Sequence, residues 1–272
     1  MIQFLLGIVA LGSSCLPALS ADRSAMTDAA GPAPMRFEWH MEGPAEACGN
    51  ACHTWISAVG VITQDTARKF EGFAEDNNVR GATLVLDSEG GSVVAALALG
   101  RAIRRFDMTT TVGKTIVLPY GDGKARAKLS PDASCESMCV FVLLGGTRRY
   151  VPPQARVLVH MIWLGNKLDR AQEASYTAEE LGLVQQDIGG IARYTVEMGG
   201  AIELLEAALR VPPWKPMYAL APDEIHRMRL TTLESLFDED ITPVATVPKE
   251  AAPVPANANA LATVTQTQGG RD

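Results

Sequence analysis

The stretch 82-ATLVLDSEGGSVVAALALGRAIRRF-106 decides the fold. Residues 82–87 are short, apolar and β-branched, so they read as a buried strand. The strand stops at Ser88-Glu89-Gly90-Gly91-Ser92, and "VVAALALGRAIRRF" then carries its apolar residues at helical spacing. Ser92 stands where an N-cap belongs. The turn presents backbone N–H groups at a helix N-terminus. It is either a cradle for an anion or developing oxyanion, or a tight turn closed by a serine cap. A P-loop is excluded, because no Lys-Ser/Thr follows the glycines.

The same alternation continues on both sides. "WISAVGVI" (55–62) reads as a strand, and "TQDTARKFEGFAED" (63–76) as an amphipathic helix with Thr63 or Asp65 as its cap. "TTTVG" (109–113) is a further strand, followed by an irregular segment at 114–134. A helix over "ESMCVFVLLGG", a strand over "ARVLVHMIW" (155–163) and a helical region from about 170 to 209 complete the pattern. Strands alternating with helices predict an α/β fold with mostly parallel strands in one domain, residues 37–241.

The ends differ from this core. Residues 1–21 form an apolar run broken by Gly, Ser and Pro and ending in small residues. A membrane span takes about 20 apolar residues, so the segment is expected to be a secretory signal cleaved near Ser20 or Ala21, or else an uncleaved anchor. Residues 22–36 read as a flexible lead-in. The Pro/Ala/Thr-rich tail at 242–272 has no periodic apolar face and is expected to be disordered. The expected location is periplasmic or extracellular, with no stable membrane span once the signal is removed.

The 272 residues carry a formal net charge of −7, and their basic residues are scattered. A nucleic-acid partner wants a basic stripe, so this class is excluded. No cofactor is expected. With the signal removed, four cysteines remain: Cys48, Cys52, Cys135 and Cys139, in two C-x3-C pairs. An even count in an exported chain favours disulfides, with three connectivities open. Cys135 and Cys139 either bridge locally or pair with Cys48 and Cys52; as a third course the thiols stay reduced in the core. A metal site at Cys48, Cys52 and His53 lacks a fourth ligand, so no metal is expected.

Two residue types carry candidate chemistry. Ser137, in "SCESMCVFVLLGG", sits at a loop-to-helix junction, where it is either a nucleophile in a constrained turn or a helix cap. His160, ending "ARVLVH", is either a general base for a serine hydroxyl or a half-buried structural histidine. Taken together, "DSEGGSV" followed by "CESMCVFVLLGGTRRYVPPQARVLVH" resembles the proteolytic subunit of Clp protease and its relatives in the crotonase-like superfamily. The resemblance runs from about Ile56 to Thr232, and the C-x-S-x-C motif with the apparent signal is similar to that of exported Clp-like proteins.

What this resemblance implies is specific. The fold would be built of repeated β-β-α units. Gly90 and Gly91 would form the oxyanion loop, Ser137 the nucleophile, the Met138 N–H a second oxyanion donor, and His160 the base. The activity would be that of an ATP-independent serine peptidase taking peptides or unfolded polypeptide, in a homo-oligomer. Four departures qualify it. The family's catalytic aspartate aligns with Met217, and no acid occurs between Leu209 and Ala221, which leaves Asp187, Asp223 and Glu224 as substitutes. Glu89 and Glu136 bring negative charge toward the oxyanion. The segment at 116–134 is an addition, a lid or binding surface by its position. The alternative reading is an inactive crotonase-like scaffold that binds peptides in the cell envelope.

Overall fold

The strand–turn–helix over 82–106 forms as its periodicity predicts. Thr83–Asp87 is a strand, Val93–Arg105 is a helix, and the Ser92 hydroxyl accepts from the Ala95 N–H at the helix start. A computed structural model describes residues 33–43, 52–120, 124–164 and 175–237. The expected signal at 1–21, most of the lead-in, Cys48 and the tail at 242–272 lie outside the described residues.

In chain order the elements begin with β1 (Arg36–Met41), β2 (Thr54–Val59), α1 (Thr66–Asp76), β3 (Thr83–Asp87), α2 (Val93–Arg105) and β4 (Thr109–Val112). Next come β5 (Lys114–Tyr120), β6 (Lys124–Ser130), β7 (Ser134–Glu136), α3 (Met138–Leu144), β8 (Arg148–Tyr150) and β9 (Arg156–Val159). The last are α4 (Ala178–Glu197), α5 (Glu203–Leu209), β10 (Tyr218–Ala219) and α6 (Pro222–Arg227). The main sheet has the order β1-β2-β3-β4-β8, parallel throughout except for β1 against β2. The protein is therefore mixed α/β with a mostly parallel sheet.

A smaller sheet, β10-β9-β7, pairs β7 with β9 in parallel. The end of β3 joins the two sheets: Ser88 N donates to Ser134 O at 3.0 Å, and Glu136 N donates to Ser88 O at 2.9 Å. This junction brings the strand carrying Ser137 beside the glycine turn. Helix α3 is buried along its whole length, packed between α2 and the sheets. Burying such a helix on all sides requires an all-apolar sequence, which "MCVFVLL" supplies.

Three expectations change. The segment at 114–134 is no irregular loop. Its greater part is an antiparallel hairpin, β5 with β6, laid over the face of the sheet where Trp55 and Val85 pack with Ala127. The Trp55 indole N–H donates to Thr115 Oγ1 at 2.8 Å and ties the hairpin down. Pro119 and the small, charged alternation of "KARAK" hid its strand character, since neither gives a clear apolar period. The helical region at 170–209 breaks in two at Gly199, which takes φ +71°. The chain also joins the fold before Phe37, with Met35 buried and Pro34 bridged to Val61. Among the described residues no helix is long and apolar enough to cross a membrane.

A polar node closes the far end of the core. Arg104 donates to the carbonyls of Leu144, Gly145, Gly146 and Met198, and Arg149 to those of Gly146 and Arg229. A half-buried guanidinium, Arg104, and a buried one, Arg149, thereby satisfy carbonyls left open where α3 and α4 end. Burial and the neighbouring Arg104 bring Arg149 down to about 10.

Candidate active site

Ser137 lies between the end of β7 and the start of α3 with φ +54° and ψ −122°. A side chain at positive φ costs about 1–3 kcal/mol and persists only where its surroundings enforce it. Three constraints do so here. The Ser137 N–H donates to Leu158 O at 2.8 Å, and the Ser137 carbonyl accepts from Val140 N at 3.1 Å. The third is a disulfide between Cys135 and Cys139, whose Cα atoms are 5.2 Å apart on either side of the serine. Closing a five-residue loop in this way is worth about 2 kcal/mol in the chain-entropy account, comparable to the strain. The Ser137 hydroxyl makes no capping bond to α3, so the cap reading is set aside. A strained serine on a sharp strand-to-helix turn is the geometry of a nucleophile elbow.

The glycine turn packs directly on this elbow. A Cβ added to Gly90 would lie 2.6 Å from Glu136 O, 2.8 Å from Ser137 Cβ and 2.9 Å from Met138 N. At Gly91 it would meet Ile62 O at 2.2 Å. Both residues hold positive φ, +87° and +138°, so glycine is needed twice over. Ile62 N donates to Gly90 O and Ser92 N donates to Ile62 O, which holds the turn against the end of β2. The Gly91 and Met138 N–H groups have no hydrogen-bond acceptor among the described residues. Both residues line the cleft that holds Ser137, and unbonded N–H donors are what stabilising an oxyanion requires.

His160 follows β9 and is 9% exposed. Its Nδ1 lies 2.8 Å from Met161 O. A carbonyl only accepts, so Nδ1 carries the hydrogen and Nε2 is left as the base. Met161 is itself held by its N–H to Val211 O at 2.9 Å. The Trp163 ring lies 4.4 Å from the imidazole. Burial pulls His160 below its ordinary 6.5, partly offset by the Met161 carbonyl and then by the charge of Glu136. Ser137, Met138, His160, Gly91, Glu89, Trp163 and Asp187 line one cleft of about 500 Å³. No direct hydrogen bond joins Ser137 to His160; such contacts often tighten only when substrate binds.

The proposed third members fare unequally. Asp187 reaches the cleft and is raised by burial, but it makes no hydrogen bond to His160. Asp223 pairs with Arg227 at 3.2 Å. Glu224 accepts from the Tyr218 hydroxyl and the Ala221 N–H, both at 2.9 Å, and so caps α6. In the antiparallel pairing of β10 with β9, Tyr218 opposes Val159. Met217 directly precedes this pair in the chain and is 36% exposed. Glu89 is exposed, and Glu136 is half-buried and accepts from Ser134 Oγ at 3.0 Å.

Of the cysteine pairings left open by the sequence, the structure has the local one, Cys135 with Cys139. Cys52 is also disulfide-bonded, so it is no free metal ligand. His53 instead donates to Glu42 at 2.8 Å and stacks on Phe237. Two neighbours of His160 escape sequence reasoning. The Met161 carbonyl has no residue signature, because every residue carries a carbonyl. Trp163 reads in sequence only as strand hydrophobicity. No protein-family model matches the chain, and no curated protein matches it.

Gly90→Ala should collapse this arrangement. The added methyl group collides with the elbow's backbone, and overpacking of this kind costs about 1–3 kcal/mol. Chemical unfolding is expected to show that loss, with at least a tenfold slower reaction of Ser137 toward a fluorophosphonate. A variant of wild-type stability and reactivity would contradict the packing described.

Proposed function

We propose that this protein is a serine hydrolase acting on peptides, with Ser137 as nucleophile and His160 as general base. The observation that carries the proposal is Ser137 itself: a non-glycine residue at positive φ, uncommitted to capping, in one cleft with an imidazole and two free N–H donors. The resemblance to the Clp-protease group supports the same assignment. It also supports a crotonase-like fold of repeated β-β-α units, a homo-oligomer, and peptide or unfolded polypeptide as substrate. The Cys135–Cys139 bond suits an oxidising compartment, which supports export to the periplasm or beyond and hence action without ATP-driven unfolding.

In the proposed reaction the Ser137 hydroxyl attacks the scissile carbonyl while His160 Nε2 takes its proton. The developing oxyanion is held by the N–H groups of Gly91 and Met138. The imidazolium then protonates the leaving amine, and water, deprotonated by the same Nε2, releases the acyl group. The Met161 carbonyl keeps His160 in the required tautomer. As a dipole it stabilises the imidazolium less than a carboxylate does, and loss of that carboxylate lowers the rate about 10⁴-fold in a serine protease. The charge of Glu136 favours the imidazolium, as the least of the effects on His160, and opposes the oxyanion next to Ser137. A slow hydrolase is the consequence. The absent carboxylate is also the observation that favours the second reading, a silent peptide-binding scaffold of the cell envelope.

A fluorophosphonate should label the wild-type protein at Ser137 and leave Ser137→Ala unlabelled. Equal labelling of both would overturn the assignment, and labelling of neither would favour the scaffold. The pH profile provides a separate check. His160 acts as base only when neutral, and burial lowers its pKa below 6.5. Labelling should therefore hold its rate as the pH falls through 6.5 and reach half-maximum only at lower pH. A midpoint at or above 6.5, in protein shown by circular dichroism to be folded, would contradict the buried-imidazole account.

A further inference from the structure

We infer that the Cys135–Cys139 disulfide is a positioning element for the nucleophile, a permanent clamp and not a redox switch. The inference rests on the reading of Ser137 as nucleophile and specifies what keeps it competent. The bond spans residues four apart in the chain, with the serine at the midpoint. Ser137 has two ways to relax from its positive φ. Relaxation toward extended backbone would lengthen the segment, since four extended residues cover about 13 Å. The disulfide holds the flanking Cα atoms at 5.2 Å and closes that route.

The other route, extension of α3 backward through the serine, would pull Ser137 N from Leu158 O and Glu136 N from Ser88 O. It would also unpair β7 from β9, where Cys135 sits opposite Val157. Strand pairing blocks the helical alternative, and the covalent tether blocks the extended one. Each constraint covers what the other leaves open. The glycine turn then bears on the trapped segment from the third side, touching Glu136 O, Ser137 Cβ and Met138 N. Loosening the elbow therefore displaces an oxyanion donor along with the nucleophile.

Burial decides between clamp and switch. Both cysteines are 0% exposed, Cys135 in β7 and Cys139 in the first turn of α3. Thiol–disulfide exchange requires a thiolate to reach a sulfur in line, so the folded protein shields this bond from small thiols and dithiol proteins alike. The bond is set when the chain folds and then left alone.

The test is Cys135→Ala/Cys139→Ala, compared with wild type in fluorophosphonate labelling resolved into maximal rate and half-saturating probe concentration. The maximal rate is expected to fall at least tenfold, with half-saturation within about twofold, because the cleft walls are untouched. A merely structural disulfide would lower the melting temperature and leave the maximal rate of the folded protein unchanged, which would overturn the inference. Amide hydrogen exchange keeps it testable if the wild type proves unreactive. Residues 137–140 should exchange at least tenfold faster in the double variant while β3 and α2 stay as in wild type; equal exchange at 137–140 would overturn the clamp whatever the activity. Native wild type treated with millimolar dithiothreitol should keep its labelling rate. Rapid loss of labelling, with the Cys135–Cys139 bond shown by mass spectrometry to be reduced, would make the bond a switch and contradict the proposal.

Discussion

The close approach of the Gly90-Gly91 turn to the Ser137 elbow is the constraint on which the rest of the structure depends. No side chain fits between them: a single methyl at position 90 would sit within 3 Å of three atoms of the elbow. To reach that distance, β3 must end where β7 begins, which the exchange of hydrogen bonds at Ser88 ensures. Helices α2 and α3 must also start side by side, each with its N-terminus toward the same cleft. The buried, wholly apolar character of α3 follows from this placement, since it is enclosed by α2 and both sheets.

The imidazole is placed by a different economy. In the proposed mechanism His160 needs an acceptor for Nδ1, and the fold provides the neighbouring carbonyl of Met161 in place of an acid. A carbonyl orients the ring without bringing a second charge beside a largely buried imidazole, where a charge left without a partner is expensive. The consequence is a weaker base and a less stabilised imidazolium. Asp223 and Glu224 play no part in this, because both are engaged within α6 and its approach. The electrostatics of the cleft accordingly centre on the free N–H donors, with Glu89 at its exposed rim.

Much of this was legible in sequence where a period or a strict steric demand wrote it there. The apolar run at 83–87, the helical spacing after Ser92 and the paired glycines announced the α/β unit. The order of Gly-Gly, serine and histidine pointed to a single site, and Gly91, Ser137 and His160 line one cleft. Other features left no such trace. Hairpin β5–β6 is covered on one face only, and Pro119 with alternating Lys and Ala masks its period. The cysteine spacing was compatible with local or long-range bridges, because only the turn between them decides. The partner of His160 is a backbone atom, common to every residue and therefore invisible to any motif.

The central claim is that Ser137, Gly91 and Met138 form one reactive centre, and a crystal structure of the protein after treatment with a fluorophosphonate tests it most directly. The account predicts phosphorus bonded to Ser137 Oγ, a phosphonyl oxygen within about 3 Å of both the Gly91 and Met138 nitrogens, and His160 Nε2 beside the serine oxygen. An adduct on another residue would contradict it, as would a phosphonyl oxygen turned away from both N–H groups.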